Sequence, residues 1–179
     1  MRSCGTPSSA ARGSRRAAFE TVSRGEGGGG RLRNRSFLIA GDGSIRARYD
    51  KIHLFDVDLP TGESWRESAA YAPGERAVVA ASPAGRIGLS ICYDLRFPEL
   101  YRRLTDADSQ ILAIPAAFTV PTGRAHWHVL MRARAIEAGV FVVAAAQSGV
   151  HEDGRVELHG STALTDPDNV GWQPVGKDR

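Results

Sequence analysis

The chain has 179 residues, 42% of them apolar, and this length favours one domain with a real core over two domains. No apolar run reaches the 18 or more residues that a membrane-spanning helix needs, so no membrane span is predicted. The formal net charge is +3, but residues 1–35 alone carry eight arginines and two glutamates. The rest of the chain is therefore net acidic, which argues against a nucleic-acid-binding surface on the folded part.

Residues 1–33 are rich in Arg, Gly and Ser and include a run of four glycines. Such a segment cannot bury enough apolar surface to fold alone, so we expect a disordered leader. It also lacks the apolar central segment of a secretory signal. The chain has two cysteines, Cys4 in this leader and Cys92. A structural disulfide between them is not expected, which favours a reducing, cytoplasmic setting.

Regular structure is expected from residue 34. SFLIA (36–40) and the alternating IRARY (45–49) predict a hairpin around the turn GDGS. Residues 56–76 are rich in Asp, Pro, Gly and Ser and predict a long loop, which in a compact domain is usually functional. AVVAA (77–81) and RIGLSI (86–91) predict a second pair of strands around another turn.

The second half of the chain alternates strands and helices. Helices are predicted over RFPELYRRL (96–104) and HWHVLMRARAIEA (126–138), and strands over QILAIP (110–115) and VFVVAAA (140–146). This βαβαβ order predicts an α/β fold in which helices cover one face of a sheet. The continuous apolar strands predict that both sheet faces are covered. A weak strand, GSTALT (160–165), is followed by an irregular tail over 168–179.

Cys92 lies where the strand RIGLSI passes into a helix. A residue at that turn has free backbone N–H groups and the positive end of a helix dipole nearby. Such surroundings lower the pKa of a thiol and offer donors to an oxyanion, which suits a nucleophile. A free cysteine is also often a small buried apolar side chain, so position alone leaves both interpretations open.

Several residues could activate such a thiol. Only Lys51 and Lys177 are lysines among 23 basic residues. Lysine is a compact point charge with a tunable pKa, so Lys51 either serves a purpose that arginine serves badly or is a chance surface residue. His53 and His126 could form a Cys–His pair, and Glu67, sixteen residues after Lys51, could be an ordinary loop carboxylate. The spacing of Cys and His predicts no metal site, and no dinucleotide or P-loop motif is present.

Four separated motifs resemble one known family. YDKIHLFD, ICYDLRFPELYR, IPAAFTVPTGRAHWHVLMRARAIE and GSTALTDP, in this order, are similar to motifs of the nitrilase superfamily of carbon–nitrogen hydrolases. The most similar branch is that of amidases acting on deaminated glutathione and related ω-amides. The resemblance implies an αββα sandwich, a small-molecule amide as substrate, and no cofactor or metal.

The resemblance also implies roles for individual residues. Lys51 matches the lysine of a Glu–Lys–Cys triad, Cys92 the nucleophile, and Glu67 a second glutamate that supports the site. The backbone N–H of Tyr93 would join Lys51 in an oxyanion hole. The side chains expected to bind substrate are Arg96, facing a carboxylate, and Phe118 and His126, lining or bracing the pocket.

The sequence departs from the family pattern before Lys51. The family's triad glutamate follows an apolar strand and a proline, whereas no strand precedes Glu20 or Glu26. Residues 34–167 are therefore expected to form a partial αββα domain without its general base. Two hypotheses follow: an active amidase in which Glu67 substitutes as base, or an impaired fragment that serves at most in subunit interactions. Missing parts would leave apolar surface on VFVVAAA or QILAI uncovered, so we expect a homo-oligomer if the chain folds.

Overall fold

The computed structural model describes residues 23–24, 30–59, 62, 64–147, 149–150, 157–158, 163–165, 167–168 and 173–174. The strands of the first half are β1 Ser23–Arg24, β2 Leu32–Arg33, β3 Arg35–Ile39, β4 Ile45–Asp50, β5 Asp56–Asp58, β6 Ser64–Arg66, β7 Val78–Ser82 and β8 Gly85–Leu89. Those of the second half are β9 Ile111–Ala113, β10 Phe141–Ala144, β11 Gly149–Val150, β12 Glu157–Leu158, β13 Ala163–Thr165 and β14 Gln173–Pro174. The α-helices are α1 Pro98–Asp106 and α2 Val120–Ala138, and two 3-10 helices span Glu67–Ala69 and Cys92–Arg96.

The main sheet has the strand order β14-β13-β10-β9-β8-β7. Its central strands β8, β9 and β10 run parallel to one another, and β7 and β13 flank them antiparallel. Helices α1 and α2 are the two crossovers between these parallel strands. The predicted βαβαβ order and the α/β class are therefore confirmed.

The predicted hairpin is also present. β3 and β4 pair antiparallel, with Ser36 opposite Tyr49 and a bulge between Leu38 and Ile39. Leu38 and Tyr49 are buried in the same core as Leu89 of the main sheet, and β4 contacts β7. The last residue of β4 is therefore held close to the end of the central strands.

The two helices have identifiable ends. Pro98 occupies the first turn of α1, where its missing N–H has no intrahelical partner to lose. Helix α2 ends at Ala138 and is capped by Gly139, whose φ of 65° is left-handed and suits glycine. It begins at Val120, six residues before the predicted start, because Pro121 is also tolerated in a first turn. The buried guanidinium of Arg134 ties α2 to the 3-10 helix by donating to the Leu95 carbonyl oxygen at 2.9 and 3.1 Å.

The prediction that both sheet faces are covered is wrong at β10. Val142 and Ala144 are fully buried, whereas Phe141 and Val143, on the other face, are 48% and 36% exposed. Alternation of exposed and buried residues marks a half-covered strand, although the sequence of β10 is apolar throughout. The expectation of uncovered apolar surface on VFVVAAA thus holds for the described residues of this strand.

The predicted loop over residues 56–76 is more ordered than expected. β5 and β6 form a short hairpin within it, in which Val57 faces Trp65 and Arg66 pairs with Asp58. Its polar composition concealed this pairing. Within the predicted disordered leader, β1 pairs antiparallel with β2, and within the predicted irregular tail, β14 pairs with β13. For the other residues of the two segments, disorder and irregularity remain predictions.

Candidate active site

Cys92 lies at a strained turn just beyond β8. Its φ of 49° is in the left-handed region, which residues with a side chain rarely occupy. The Cys92 backbone N–H donates to the Pro115 carbonyl oxygen at 2.9 Å, and the thiol lies 3.4 Å from the Ala117 carbonyl oxygen. Strain of this kind costs about 1–3 kcal/mol and persists only where the surroundings fix it, often at active sites.

The surroundings of the Cys92 thiol have opposing effects on its pKa. Burial raises the pKa of the Cys92 thiol above its ordinary value, the Lys51 ammonium opposes that rise, and the carboxylates of Glu67 and Asp94 add to it. Since the thiolate is the reactive form, the thiol needs a proton acceptor during an attack near neutral pH. The predicted depression of this pKa by the turn is wrong, because burial outweighs the favourable charge.

Lys51 directly follows β4 and is only 3% exposed. Its ammonium Nζ donates to Glu67 Oε2 at 2.6 Å. Its main chain is fixed on both sides, with the Lys51 N–H donating to the Asn34 oxygen and the Gly74 N–H donating to the Lys51 oxygen, each at 2.8 Å. Lys51 is therefore buried and held in position, and it is not a chance surface residue.

Glu67 opens the 3-10 helix Glu67–Ala69, and its side chain is only 12% exposed, so it is not a solvated loop carboxylate. Besides Lys51 Nζ, its Oε2 accepts the Phe55 backbone N–H at 2.6 Å, and its Oε1 accepts Asn34 Nδ2 at 2.9 Å. Three donors compensate the buried charge. A carboxylate has about four acceptor positions, so one position on Glu67 is left.

Arg96 and His126 contact each other, as expected of a common subsite. Both terminal nitrogens of the Arg96 guanidinium lie 3.2 Å from His126 Nδ1, which must accept because Arg only donates. The guanidinium also lies 5.6 Å from the Phe118 ring centre and 5.8 Å from that of Tyr93. No carboxylate of the described residues lies within 4 Å of it, so the charge of Arg96 has no anionic partner there.

These side chains surround one cavity of about 730 Å³. Residues from the carboxyl ends of β8, β9 and β10 line it, which is where ligands bind in open α/β sheets. Its lining includes Lys51, Glu67, Cys92, Tyr93, Arg96 and Phe118, and also Asn34, Phe55 and Trp65. Phe118 is buried against Trp127, and His126 braces Arg96 from outside the lining.

His53 is not among the residues that line the cavity. Its Nδ1 lies 2.7 Å from Asp94 Oδ1, and its ring stacks on Phe97 at 3.7 Å with an interplanar angle of 6°. Sequence reasoning missed Asp94 and Asn34 as site residues. A signal existed for Asp94, two positions after Cys92 in ICYDLRFPELYR, whereas nothing in the sequence singled out Asn34.

The described part of the chain lacks two other features. It holds no cluster of three His, Cys, Asp or Glu side chains that could bind a metal ion. None of its helices is long and apolar enough to cross a membrane.

The chain has clear relatives. The carbon–nitrogen hydrolase family matches residues 16–170. A deaminated glutathione amidase of Synechocystis sp. is 47% identical over 143 residues, which are 79% of this chain and 52% of that protein. One of Yersinia enterocolitica is 51% identical over 65% of this chain and 41% of that protein. The chain thus spans about half the length of the curated relatives it matches.

Solved structures agree with this result. The NitFhit protein of C. elegans superposes with a TM-score of 0.73 at 43% identity, covering 78% of this chain and 34% of that one. A mutant amidase from Nesterenkonia sp. AN1, which shows covalent addition of an acetamide moiety at the active-site cysteine, gives 0.67 at 26% identity, covering 81% and 52%. The sequence match, the shared fold and the ordered motifs lead to one conclusion: the chain belongs to the carbon–nitrogen hydrolase family.

Proposed function

We propose that the chain hydrolyses a small linear amide to a carboxylic acid and ammonia, with Cys92 as the nucleophile. The observation that carries this proposal is the meeting of Cys92, Lys51 and Glu67 in one cavity, at a strained turn after a central strand. The deaminated glutathione amidases among the relatives, and the acetamide adduct on the cysteine of the Nesterenkonia amidase, support it.

The reaction runs in two halves. Cys92 Sγ bonds to the amide carbon while its proton passes to a carboxylate, and the carbonyl electrons move onto the oxygen. The Lys51 ammonium and the Tyr93 backbone N–H stabilise that oxyanion, since the first N–H groups of a helix lack intrahelical acceptors. The carbon–nitrogen bond then breaks, the nitrogen takes the proton and leaves as ammonia, and a thioester remains. Water then gives a proton to the same carboxylate while its oxygen bonds to the thioester carbon. The carbon–sulfur bond breaks, the acid leaves, and the proton passes from the carboxylate to Cys92 Sγ, which restores the thiol.

Glu67 is the carboxylate proposed to move the proton. Its one remaining acceptor position can take the Cys92 proton while the other positions keep their bonds to Lys51, Phe55 and Asn34. Glu67 would then combine two tasks, holding a cation and accepting a proton, so we expect slow turnover.

Arg96 is proposed to bind a substrate carboxylate. Its guanidinium lines the cavity, is held by His126 and stands over two aromatic rings. Arginine binds carboxylates bidentately, so the substrate class is an amide with a carboxylate at its far end, an ω-amide. We further propose a homo-oligomer in a reducing compartment such as the cytoplasm, where Cys92 stays a thiol.

A second candidate function has its own observation. The pKa of the Cys92 thiol is raised, while three donors already engage Glu67. A chain of this kind could bind an amide and fail to take the proton from Cys92. It would then be an impaired member of the family, serving at most in subunit interactions.

Ammonia release from a small ω-amide separates the two candidates. The enzyme predicts turnover that is lost in Cys92→Ala and strongly reduced in Glu67→Gln. The impaired protein predicts no ammonia from any variant and a Cys92 that reacts with iodoacetamide no faster than Cys4. A Cys–His enzyme would instead be lost in His126→Ala and would tolerate Lys51→Arg.

A further inference from the structure

Asp94 is a buried carboxylate that the proposed reaction does not use. It is completely buried and accepts four hydrogen bonds. Its Oδ1 accepts the His53 backbone N–H at 3.0 Å and His53 Nδ1 at 2.7 Å. Its Oδ2 accepts the Tyr49 hydroxyl at 2.7 Å and the Ile91 backbone N–H at 2.9 Å. Burying a charge is costly unless it is fully hydrogen-bonded, and here every acceptor position has a donor.

These donors come from the two segments that carry the proposed catalytic groups. Tyr49 and His53 each lie two residues from Lys51, one before it and one after it. Ile91 directly precedes Cys92. One carboxylate therefore ties the end of β4 to the nucleophile turn.

Asp94 also stabilises the strained turn that contains Cys92. Asp94 accepts the Ile91 N–H with its side chain, and its own N–H donates to the Ile91 oxygen at 3.0 Å. These two bonds close the turn over Cys92, whose φ of 49° needs surroundings that fix it.

The two side-chain donors are themselves fixed. Burial, with the nearby Asp94 charge, raises the pKa of Tyr49, so its hydroxyl stays protonated and donates. The His53 ring is stacked on Phe97, and its Nδ1 carries the proton because an ionised carboxylate only accepts.

We propose that Asp94, as a carboxylate, is a positioning residue that sets Cys92 against Lys51 for the amide reaction. This inference rests on the proposed function. An amide could not replace the carboxylate, because each Asp94 oxygen accepts a backbone N–H that cannot reverse. The NH₂ group of asparagine would face a donor in either orientation.

The first experiment measures kcat and KM for a small ω-amide in the full chain. Asp94→Asn is expected to lower kcat by about 100-fold, the size of effect that a misplaced reacting group produces, with KM within about threefold. Tyr49→Phe removes one donor while keeping the ring. Asp108→Asn, at an exposed residue that is already left-handed, is the matched control and keeps wild-type kcat.

His53 variants separate positioning from plain stability. His53→Phe keeps the stack on Phe97 and loses the bond to Asp94, whereas His53→Asn loses the stack and places an amide nitrogen close to the Nδ1 position. Positioning predicts a higher kcat for His53→Asn than for His53→Phe, even where His53→Phe has the higher melting temperature. A kcat that follows the melting temperature across all variants would overturn the proposal.

A second experiment does not need turnover, so it distinguishes failure of this inference from failure of the proposed function. Iodoacetamide alkylation of Cys92, located by mass spectrometry, is measured with and without Lys51→Met. In wild type, loss of the ammonium slows alkylation, and in the Tyr49→Phe and His53→Phe backgrounds this effect shrinks. An unchanged Lys51 effect in both backgrounds contradicts the inference, whether or not ammonia is released.

Discussion

The Lys51 ammonium and the Glu67 carboxylate form a buried ion pair, with Nζ and Oε2 2.6 Å apart and side chains that are 3% and 12% exposed. Lys51 directly follows a hairpin strand, and Glu67 opens a 3-10 helix sixteen residues later. The segment between them therefore delivers a counter-charge to Lys51, which lines the same cavity as Cys92. Removing one partner of such a pair leaves the other buried and uncompensated.

Glu67→Gln is expected to damage both stability and turnover. The amide cannot accept from Lys51 Nζ, Phe55 N–H and Asn34 Nδ2 together, so the free energy of unfolding should fall by about 3–5 kcal/mol. Turnover should fall by about 100-fold or more, since the variant also loses the proposed base. Urea denaturation and ammonia release measure the two effects. Glu75→Gln, at an exposed carboxylate, is the control, and a folded, fully active Glu67→Gln protein would contradict the site.

The Cys92 thiol should titrate above an ordinary thiol. Burial raises its pKa, so alkylation of native Cys92 should become fast only at a higher pH than in the urea-unfolded chain. Lys51 opposes that rise, so Lys51→Met should move the native profile higher still. The raised pKa of Cys92 means that the native state favours the protonated thiol. The contribution of this thiol to the free energy of unfolding is therefore complete below the pKa of a thiol in the unfolded chain, about 8.5. This contribution is lost as the pH rises through the pKa of Cys92 in the native chain.

The control for this pH dependence is Cys92→Ala, which should lose the part of the stability decrease that belongs to this thiol. Alkylation profiles that coincide in the native and unfolded chains would show that burial does not act on Cys92. If native Cys92 were alkylated rapidly at a lower pH than Cys92 in the unfolded chain, the result would point instead to a thiolate stabilised by Lys51.

Arg96→Gln should change recognition more than chemistry. We expect KM for an ω-amide to rise by about tenfold or more, because a charge-assisted contact is worth about 1.5–3 kcal/mol, with kcat less affected. The same compound with its carboxylate as a methyl ester should lose this dependence. Arg102→Gln, at an exposed arginine of α1, is the control. Equal KM effects on both compounds would exclude a carboxylate subsite at Arg96.

The sequence predicted the central fold because its elements are locally encoded. α1 shows Pro98 at its start, α2 shows Gly139 at its end, and apolar runs mark the parallel strands. Lys51 and Cys92 were singled out because they lie in motifs that resemble the family, and Glu67 because it matches a supporting glutamate of that family. Asp94 and Asn34 have hydrogen-bond partners that lie 33 to 45 positions away in the sequence. Asp94 lies within a family motif, but no local pattern reports such long-range contacts for either residue. The exposed face of β10 was mispredicted because a strand with an entirely apolar sequence can have one face or both faces covered, and its sequence does not distinguish the two cases.

Gly74→Ala should destabilise the Lys51 segment by steric overlap. A Cβ at Gly74 would lie 2.1 Å from the Asp50 carbonyl oxygen, which is backbone and cannot move aside cheaply. We expect a loss of about 1–3 kcal/mol in the free energy of unfolding, as for other overpacked sites. Gly62→Ala meets open space and tests backbone strain alone at its φ of 89°. A Gly74→Ala loss no larger than that of Gly62→Ala would contradict the close approach.

Phe141 and Val143 should drive self-association of the purified chain. Both are exposed apolar side chains on one face of a central strand, and burying such surface is worth about 25 cal/mol per Å². Sedimentation velocity should therefore show an oligomer that dissociates on dilution. Phe141→Lys should shift the chain toward monomer, whereas Ile45→Lys, at an exposed apolar residue of the hairpin, should not. A wild-type chain that stays monomeric and melts in one sharp transition would contradict this prediction, because the face would then be stable in water.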